Sequence, residues 1–346
     1  MNYRSIADMN DTILSNLARL PRGIDLVVGV PRSGLLAANL LSLALNVPLT
    51  DVDGLLARRV LAAGRTRRPA AIDRPPDGPR RIVVIDDSIF MGHSMTAVRR
   101  RIEEAGVAGE ITTVAVYGNL DAHPDADVVL EAVPQPRLFQ WNVFHHGHLE
   151  HCCVDIDGVL CCDPSPSEND DGPAYERFLV SATPMIVPTR PIGWLVTSRL
   201  EKYRRETEAW LEAAGIEYRH LVMLDLPSMA ERRRSRAHGS FKASVYRDCE
   251  ALLFIESEHE QAIEIAEGSG KPVLSLEAHR VVEPGPSALA ARQALSTLPR
   301  RVRIAKGPLT DVRSLKLVLR GALGNANWRR LKALAGGRSG STRGAS

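Results

Sequence analysis

Two stretches place carboxylates where chemistry on phosphate esters could be done. In RIVVIDDSIFMGHSM, residues 81–95, Asp86 and Asp87 follow four apolar residues, and a turn containing Gly92 leads to Ser94. Backbone N–H groups of residues 88–94 can point into such a turn and bind a phosphate with help from a helix dipole. Hydroxyls of Ser88 and Ser94 add donors, and the two acids can bind ribose hydroxyls or a hydrated Mg²⁺. In VDIDGVL, residues 154–160, Asp155 and Asp157 share one side by the period of two. One of them can attack phosphorus while the other protonates the leaving oxygen. Downstream, Thr197 can hold a phosphoryl oxygen and Lys242 can neutralise an aspartyl-phosphate. Asp155, Asp157 and Glu256, with Glu258 nearby, could hold Mg²⁺. The bland alternatives are an acidic strand end with an ordinary cap at the first stretch and an acidic turn at the second.

These residues need strands ending in loops to position them. The pattern predicts an amphipathic helix over 5–20, a buried strand over 24–30, a helix over 34–45 and a long Arg/Pro/Ala-rich loop over 57–80. A strand at 81–86, a helix near 94–106 and strands at 111–118 and 127–133 follow. The pattern then restarts with strands at 151–160, 192–198, 218–224, 251–257 and 271–276, and a helix at 200–214. Such alternation predicts an α/β chain of two tandem three-layer domains with mostly parallel sheets.

The first stretch resembles the PRPP-binding motif of type I phosphoribosyltransferases, PRPP being phosphoribosyl pyrophosphate. VVGVPRSGLLAA, residues 27–38, resembles that family's pyrophosphate loop, and both loops are most similar to those of glutamine-dependent amidophosphoribosyltransferases. Their glutaminase half is missing, because no cysteine precedes Cys152. The resemblance spans about 20–140 and implies PRPP and an unidentified acceptor as substrates. It nominates Arg32, Ser33, Gly34, Asp86, Asp87, Ser88, Ile89, Phe90, Met91, Gly92, His93 and Ser94 as PRPP-binding residues. Phe90 and Met91 depart from it, standing where many members carry Thr. Arg58, Arg59, Arg65, Arg67 and Arg68 sit where the family has a loop that closes over the pyrophosphate. The acceptor would meet a hood made by the N-terminal helix and residues 133–146, where Phe139, Trp141 and Phe144 could stack on a base or simply pack.

The second stretch, in the order DxDG, Thr197, Lys242 and an acidic strand end, resembles the haloacid dehalogenase (HAD) superfamily over about 150–280. The resemblance implies a HAD-like Rossmannoid fold, Mg²⁺ and a phosphomonoester substrate. Glu256 replaces the usual Asp, and residues 161–191 are too short for a large cap. The expected organisation is a phosphoribosyltransferase-like domain at 1–146, a HAD-like domain at 150–285 and a basic extension at 286–346 with a disordered end. The expected function is phosphoribosyl transfer coupled to phosphate removal. The alternatives are a PRPP sensor that regulates nucleic acid binding, or a phosphatase that uses the first domain as a cap.

Composition fits this organisation: 346 residues suffice for two domains, and 44% hydrophobic with 25% charged residues excludes wholesale disorder. The net charge of +3 hides an asymmetry. From Arg292 to Ser346 there are 13 Lys/Arg and one acid, Asp311, which leaves 31 basic and 40 acidic groups of the total 44 and 41 for residues 1–291. The tail could touch nucleic acid, although a solvated charged end is the commoner case. Five cysteines, four in adjacent pairs, make no disulfide framework. His145, His146, His148, His151, Cys152 and Cys153 do not have finger or ribbon spacing for zinc. No signal peptide and no membrane span are expected, since the longest uncharged run, 33–50, holds Asn39, Asn46 and Pro48. A cytoplasmic protein follows, and the transferase resemblance implies a homodimer as the candidate oligomer.

Overall fold

The computed structural model describes residues 1–61, 80–235 and 237–289. The first region runs β1 (Asn2–Arg4), α1 (Ile6–Ser15), β2 (Leu26–Gly29), α2 (Gly34–Leu45), β3 (Leu49–Asp51), α3 (Val52–Leu56), β4 (Arg81–Ser88), α4 (His93–Glu104), β5 (Glu110–Gly118), β6 (Val128–Ala132) and β7 (Arg137–Phe139). The second runs β8 (Cys152–Val154), α5 (Pro173–Ser181), β9 (Ile192–Leu200), α6 (Arg204–Ala213), β10 (Tyr218–Leu224), α7 (Met229–Ser235), α8 (Ala237–Asp248), β11 (Leu253–Glu256), α9 (His259–Ser269), β12 (Val273–Ser275) and β13 (Arg280–Val282).

The first sheet has the order β3-β2-β4-β5-β6 and every pairing in it is parallel. Parallel sheets are buried on both faces, so their strands read as continuous apolar runs, as Ile82–Ile85 does. Alternate side chains divide between two layers. Val27, Val83, Ile85, Val114 and Val116 pack with Ile13 of α1 and Leu41 of α2. Leu26, Val28, Val84 and Ala115 pack with Met95, Val98 and Ile102 of α4. A small two-stranded sheet, β1 with β7, joins the two ends of this region.

The second sheet has the order β10-β9-β8-β11-β12-β13, parallel except for the β12–β13 pair. Its faces divide in the same way. Val154, Leu195 and Ile255 meet Phe178 of α5 and Trp210 of α6. Cys153, Val196 and Phe254 meet Tyr246 of α8 and Ile265 of α9. The chain is thus an α/β protein with a first parallel sheet and a second, mostly parallel one.

Several sequence expectations shift. The helix of 5–20 ends at Ser15, and a 3-10 turn at Leu17–Arg19 replaces its last part. The strand expected over 151–160 stops at Val154, because Gly158, at φ 74°, folds the chain back so that its N–H donates to the Cys161 carbonyl. The stretch 161–191, too short for a large cap, holds α5, whose Tyr175, Phe178 and Leu179 are buried. Short β3, α3, β7 and β13 carried too few residues for a period to show. Arg65, Arg67 and Arg68 of the 57–80 loop and the basic stretch from Arg292 lie outside the described residues. No helix among the described residues is long and apolar enough to cross a membrane.

Candidate functional site

The first acid pair ends β4, the middle strand of its sheet. Asp86 and Asp87 are both buried. Ser33, just before α2, donates its hydroxyl to Asp87 Oδ1 at 2.7 Å, and the indole N–H of Trp141 donates to Asp87 Oδ2 at 2.8 Å. The Asp87 amide donates to Asp86 Oδ1 at 2.9 Å. Burial, and then the charge of Asp87, pushes the Asp86 carboxyl up to about 8. Gly34 lets α2 start against this pair: a Cβ there would lie 2.7 Å from Asp86 Oδ1 and 2.9 Å from the Ile85 carbonyl. The Pro31–Arg32 peptide bond just ahead is cis, and Arg32 is exposed.

The turn from β4 into α4 is fixed from several sides. The Ile89 amide donates to the Tyr117 carbonyl at 2.8 Å, and the Ile89 carbonyl accepts from buried Arg137 at 2.8 Å. The Ile89 amide is therefore committed within the fold, which shortens the expected phosphate-binding row of 88–94. His123 donates from Nε2 to the Phe90 carbonyl at 3.1 Å, since its Nδ1 accepts the Asp125 amide. Gly92, at φ 77°, caps α4 in a left-handed conformation, and a Cβ on it would lie 2.1 Å from Asp125 Oδ2. His93 and Ser94 are exposed in the first turn of α4, as Phe90 and Met91 are just before it. Ser88 ends the strand opposite Tyr117.

Of the three hood aromatics, two belong here. Phe139 and Trp141 stack at 4.8 Å and 3°, and Tyr117 stacks on Phe139 at 5.3 Å. Phe144 is buried in the core of the second sheet instead. Arg58 and Arg59 are exposed beyond α3, and Arg59 gives its carbonyl to the Thr50 hydroxyl. An open cleft of about 690 Å³ lies elsewhere, between α1 and β13, with neither acid pair in its wall.

The second acid set lies at the ends of β8 and β11. Asp155 and Glu256 continue the face of Cys153 and Phe254, the face covered by α8, and Lys242 of α8 reaches both. Its ammonium donates to Asp155 Oδ2 at 2.5 Å, to Glu256 Oε2 at 2.8 Å and to Gln261 Oε1 at 3.2 Å. All three charged groups are buried. Burial works against the charge of Lys242, but Asp155 and Glu256 outweigh it and raise its pKa. Burial, with Glu256 and Asp157 assisting and Lys242 opposing, raises Asp155 to about 7. Lys242 lies within α8.

Asp157 turns to a different cation. Arg199, wholly buried on β9, donates to Asp157 Oδ1 at 2.6 Å and to Oδ2 at 3.1 Å. The guanidinium lies 5.6 Å from the centre of the Trp210 ring. Thr197 is buried beside it, its hydroxyl accepting the Arg199 amide at 3.2 Å. The expected metal trio does not fit a metal as arranged. Lys242 stands between Asp155 and Glu256, and Arg199 holds Asp157. Among the described residues no group of three His, Cys, Asp or Glu side chains is placed to hold an ion. Glu258 is exposed and accepts from Gln261. Cys152 and Cys153 are buried in β8, with Cys152 donating to the His148 carbonyl.

Arg199, Asp163 and Arg137 escaped the sequence reading. The one signal for Arg199 was a charge inside an apolar strand, two residues after Thr197. Asp163 adjoins Gly158, and burial and then Asp157 raise its pKa.

Comparison with known proteins bears on the first region. Residues 2–148 match the family model of the phosphoribosyl transferase domain. A purine phosphoribosyltransferase from Pyrococcus horikoshii aligns at 21% identity over 40% of this chain and 86% of its own, with a TM-score of 0.25. The xanthine-guanine-hypoxanthine phosphoribosyltransferase of Helicobacter pylori aligns at 17% over 41% and 92%, with a TM-score of 0.29. The adenine phosphoribosyltransferase of Saccharomyces cerevisiae aligns at 21% over 33% and 68%, with a TM-score of 0.22. No curated protein matches the chain.

Proposed function

We propose, from the premise that residues 2–148 are a phosphoribosyltransferase domain, that the chain transfers phosphoribose from PRPP to an acceptor and releases pyrophosphate. The observation that carries this reading is the Asp86–Asp87 pair, held by Ser33 and Trp141 between the start of α2 and the turn into α4. The pair is placed to meet the ribose hydroxyls, Asp87 as an acceptor and Asp86, with its raised pKa, as an acceptor or a donor. The first turn of α4, with Ser94, suits the 5'-phosphate, and Ser33, Gly34 and Arg32 suit the diphosphate. The C1–O bond breaks and its electron pair leaves with pyrophosphate. The acceptor's lone pair forms the new bond to C1, and the acceptor loses a proton. Mg²⁺ enters with PRPP as part of the substrate and neutralises diphosphate charge.

The second region supports a second reaction, phosphomonoester hydrolysis in the manner of HAD proteins. The favouring observation is the contact of Lys242 with both Asp155 and Glu256. The strand order, with β8 central and β9 and β11 on either side, supports the same reading. Asp155 would attack phosphorus and the ester oxygen would leave with a proton from Asp157. Water would then split the aspartyl-phosphate and return a proton to Asp157. Arg199 competes for Asp157, so a substrate must draw that carboxylate away from the guanidinium. Thr197 would hold a phosphoryl oxygen. No step is assigned to a metal here. In this reading residues 1–146 and 150–285 are two domains working in sequence, and the second takes a phosphate from the product of the first.

Phosphorus NMR with PRPP, Mg²⁺ and a pool of nucleobases and small amine acceptors tests both halves. Pyrophosphate that appears only with an acceptor, and is lost in Asp87→Asn, is the expected result. Orthophosphate should follow and vanish in Asp155→Asn. An unchanged PRPP signal with every acceptor, while PRPP still binds, would replace transfer with sensing. Orthophosphate release that survives Asp155→Asn would remove the second reaction.

A further inference from the structure

Two thiols take no part in either reaction. Cys153 lies in the middle of β8, buried among Val196, Tyr246 and Phe254. Cys249 follows the last residue of α8 and is half-buried. Their sulfurs are 3.5 Å apart. Lys271, itself buried, donates from Nζ to the Cys249 carbonyl at 2.7 Å, the Tyr246 carbonyl at 2.7 Å and the Ala251 carbonyl at 2.9 Å. This fixes an ammonium beside the sulfur pair. The hydrogen bond from Cys153 draws the Cys249 thiol down to about 6 against its burial, and the Ala251 amide and Lys271 assist. Burial pushes Cys153 well above the ordinary thiol range. Cys249 is therefore the less buried and more thiolate-like of the two, and Cys153 is sheltered within reach of it. That is the division of labour between an attacking and a resolving cysteine.

We propose that Cys249 and Cys153 form a reversible dithiol–disulfide site whose oxidant is a hydroperoxide. The Cys249 thiolate attacks one oxygen of hydrogen peroxide and the O–O bond breaks. Hydroxide leaves, and Cys249 becomes a sulfenic acid. The Cys153 sulfur then displaces the sulfenic oxygen, which departs as water with the Cys153 proton. The S–S bond forms, two thiols having been oxidised by one peroxide. A thiol reductant restores both.

The position of the pair gives the disulfide a structural consequence. Lys242 lies in α8 and Cys249, seven residues on, lies just past its end, its amide still donating to the Val245 carbonyl, so the two are about two turns apart along one side. Cys153 and Asp155 are two apart on the same face of β8 and its continuation. A Cys153–Cys249 bond would staple the helix to the strand at one end of a contact whose other end is the Lys242–Asp155 ion pair.

The test uses the full chain, reduced and then freed of reductant, with hydrogen peroxide near stoichiometry and peptide mapping without reduction. The expected product is two hydrogen atoms lighter, carries one Cys153–Cys249 linked peptide and reverts with dithiothreitol. Cys249→Ser should abolish the link. Cys153→Ser, which keeps a donor to Cys249 but cannot resolve it, should strand Cys249 as a sulfenic acid and raise its dimedone labelling at least fivefold over the wild-type chain. If Cys153→Ser does not fold, the wild-type map and Cys249→Ser still decide. Exposed Cys162 is the internal control. Oxidation confined to Cys162, with Cys249 unmodified, would overturn the proposal. So would a Cys153→Ser chain that folds but takes no dimedone at Cys249.

Discussion

Both acid pairs end the central part of a parallel sheet, yet they are held by opposite kinds of partner. At the end of β4, Asp87 is held by a hydroxyl and an indole N–H, and buried Asp86 by the Asp87 amide. At the ends of β8 and β11, an ammonium joins Asp155 to Glu256 and a guanidinium grips Asp157. The difference agrees with what each site would receive under the proposed function. Ribose hydroxyls are neutral donors, and carboxylates without a competing cation accept from them well. A phosphoryl group is an anion that cannot approach bare carboxylates, so cations must already stand among them.

The comparison breaks most visibly at Lys242. Lys242→Met leaves Asp155 and Glu256 buried without their shared cation. Removing one partner of a buried ion pair costs about 3–5 kcal/mol. Urea unfolding followed by tryptophan fluorescence should show a loss of that size. A loss below about 1 kcal/mol would mean that water or side-chain rearrangement already screens the set.

Asp86 gives the opposite signature, seen through pH. Its carboxyl is raised to about 8 in the folded chain, against an unfolded value of about 3.9. Between those values the folded state keeps a proton that the unfolded state gives up. Stability therefore falls as pH rises through that window, by at most about 1.4 kcal/mol per pH unit for one proton. Below about pH 4 the penalty is absent. Asp86→Asn should gain on the parent chain steadily from pH 5 to pH 8 in urea midpoints. A gap that does not change with pH would show Asp86 ionising normally. Taking the difference removes the contribution of Asp155, which has a raised pKa of its own.

Gly92→Ala sharpens the first site from the backbone side. A left-handed conformation costs an L-residue about 1–2 kcal/mol, and the new Cβ would meet Asp125 and His123. The first turn of α4 must then move. PRPP affinity should fall more than tenfold by titration calorimetry, with the proposed orthophosphate release of the second region untouched. Equal loss at both sites would mean that the two regions do not act separately.

How far the sequence could be read depends on how local each signal is. The buried strand 81–86 with the acids at its end, and the strand 192–198 with Thr197 at its end, were legible because an apolar run and the polar residues that follow it sit within a few residues of each other. Lys242 was legible as a residue type in order, though not as a bridge between two carboxylates 14 residues and 87 residues away. Arg199 shows the limit: its partner Asp157 lies 42 residues earlier, and its pairing depends on β8 and β9 being neighbours. The expected metal trio meets the same limit. The motif order brought Asp155, Asp157 and Glu256 together as acids, while Lys242 and Arg199, which pair with them, come from other elements. Trp141 carried an aromatic's usual ambiguity, and only the fold turns its N–H toward Asp87.

That indole is the finest test of the contrast. Trp141→Phe keeps an aromatic ring on Phe139 and deletes the indole donor to Asp87 Oδ2. Hydrogen bonds to charged groups contribute about 1.5–3 kcal/mol, and the half-exposed position of Trp141 puts this one at the low end. If the indole positions Asp87 for ribose, PRPP affinity should drop by up to about tenfold, the equivalent of about 1.4 kcal/mol. Ser33→Ala, which removes the donor to the other oxygen, should act in the same direction, and the two losses should not add, because both donors orient one carboxylate. Tighter PRPP binding in Trp141→Phe would reverse the assignment. The indole would then be a competitor that substrate must displace, as Arg199 is at the second site, and the two acid pairs would be more alike than their partners suggest.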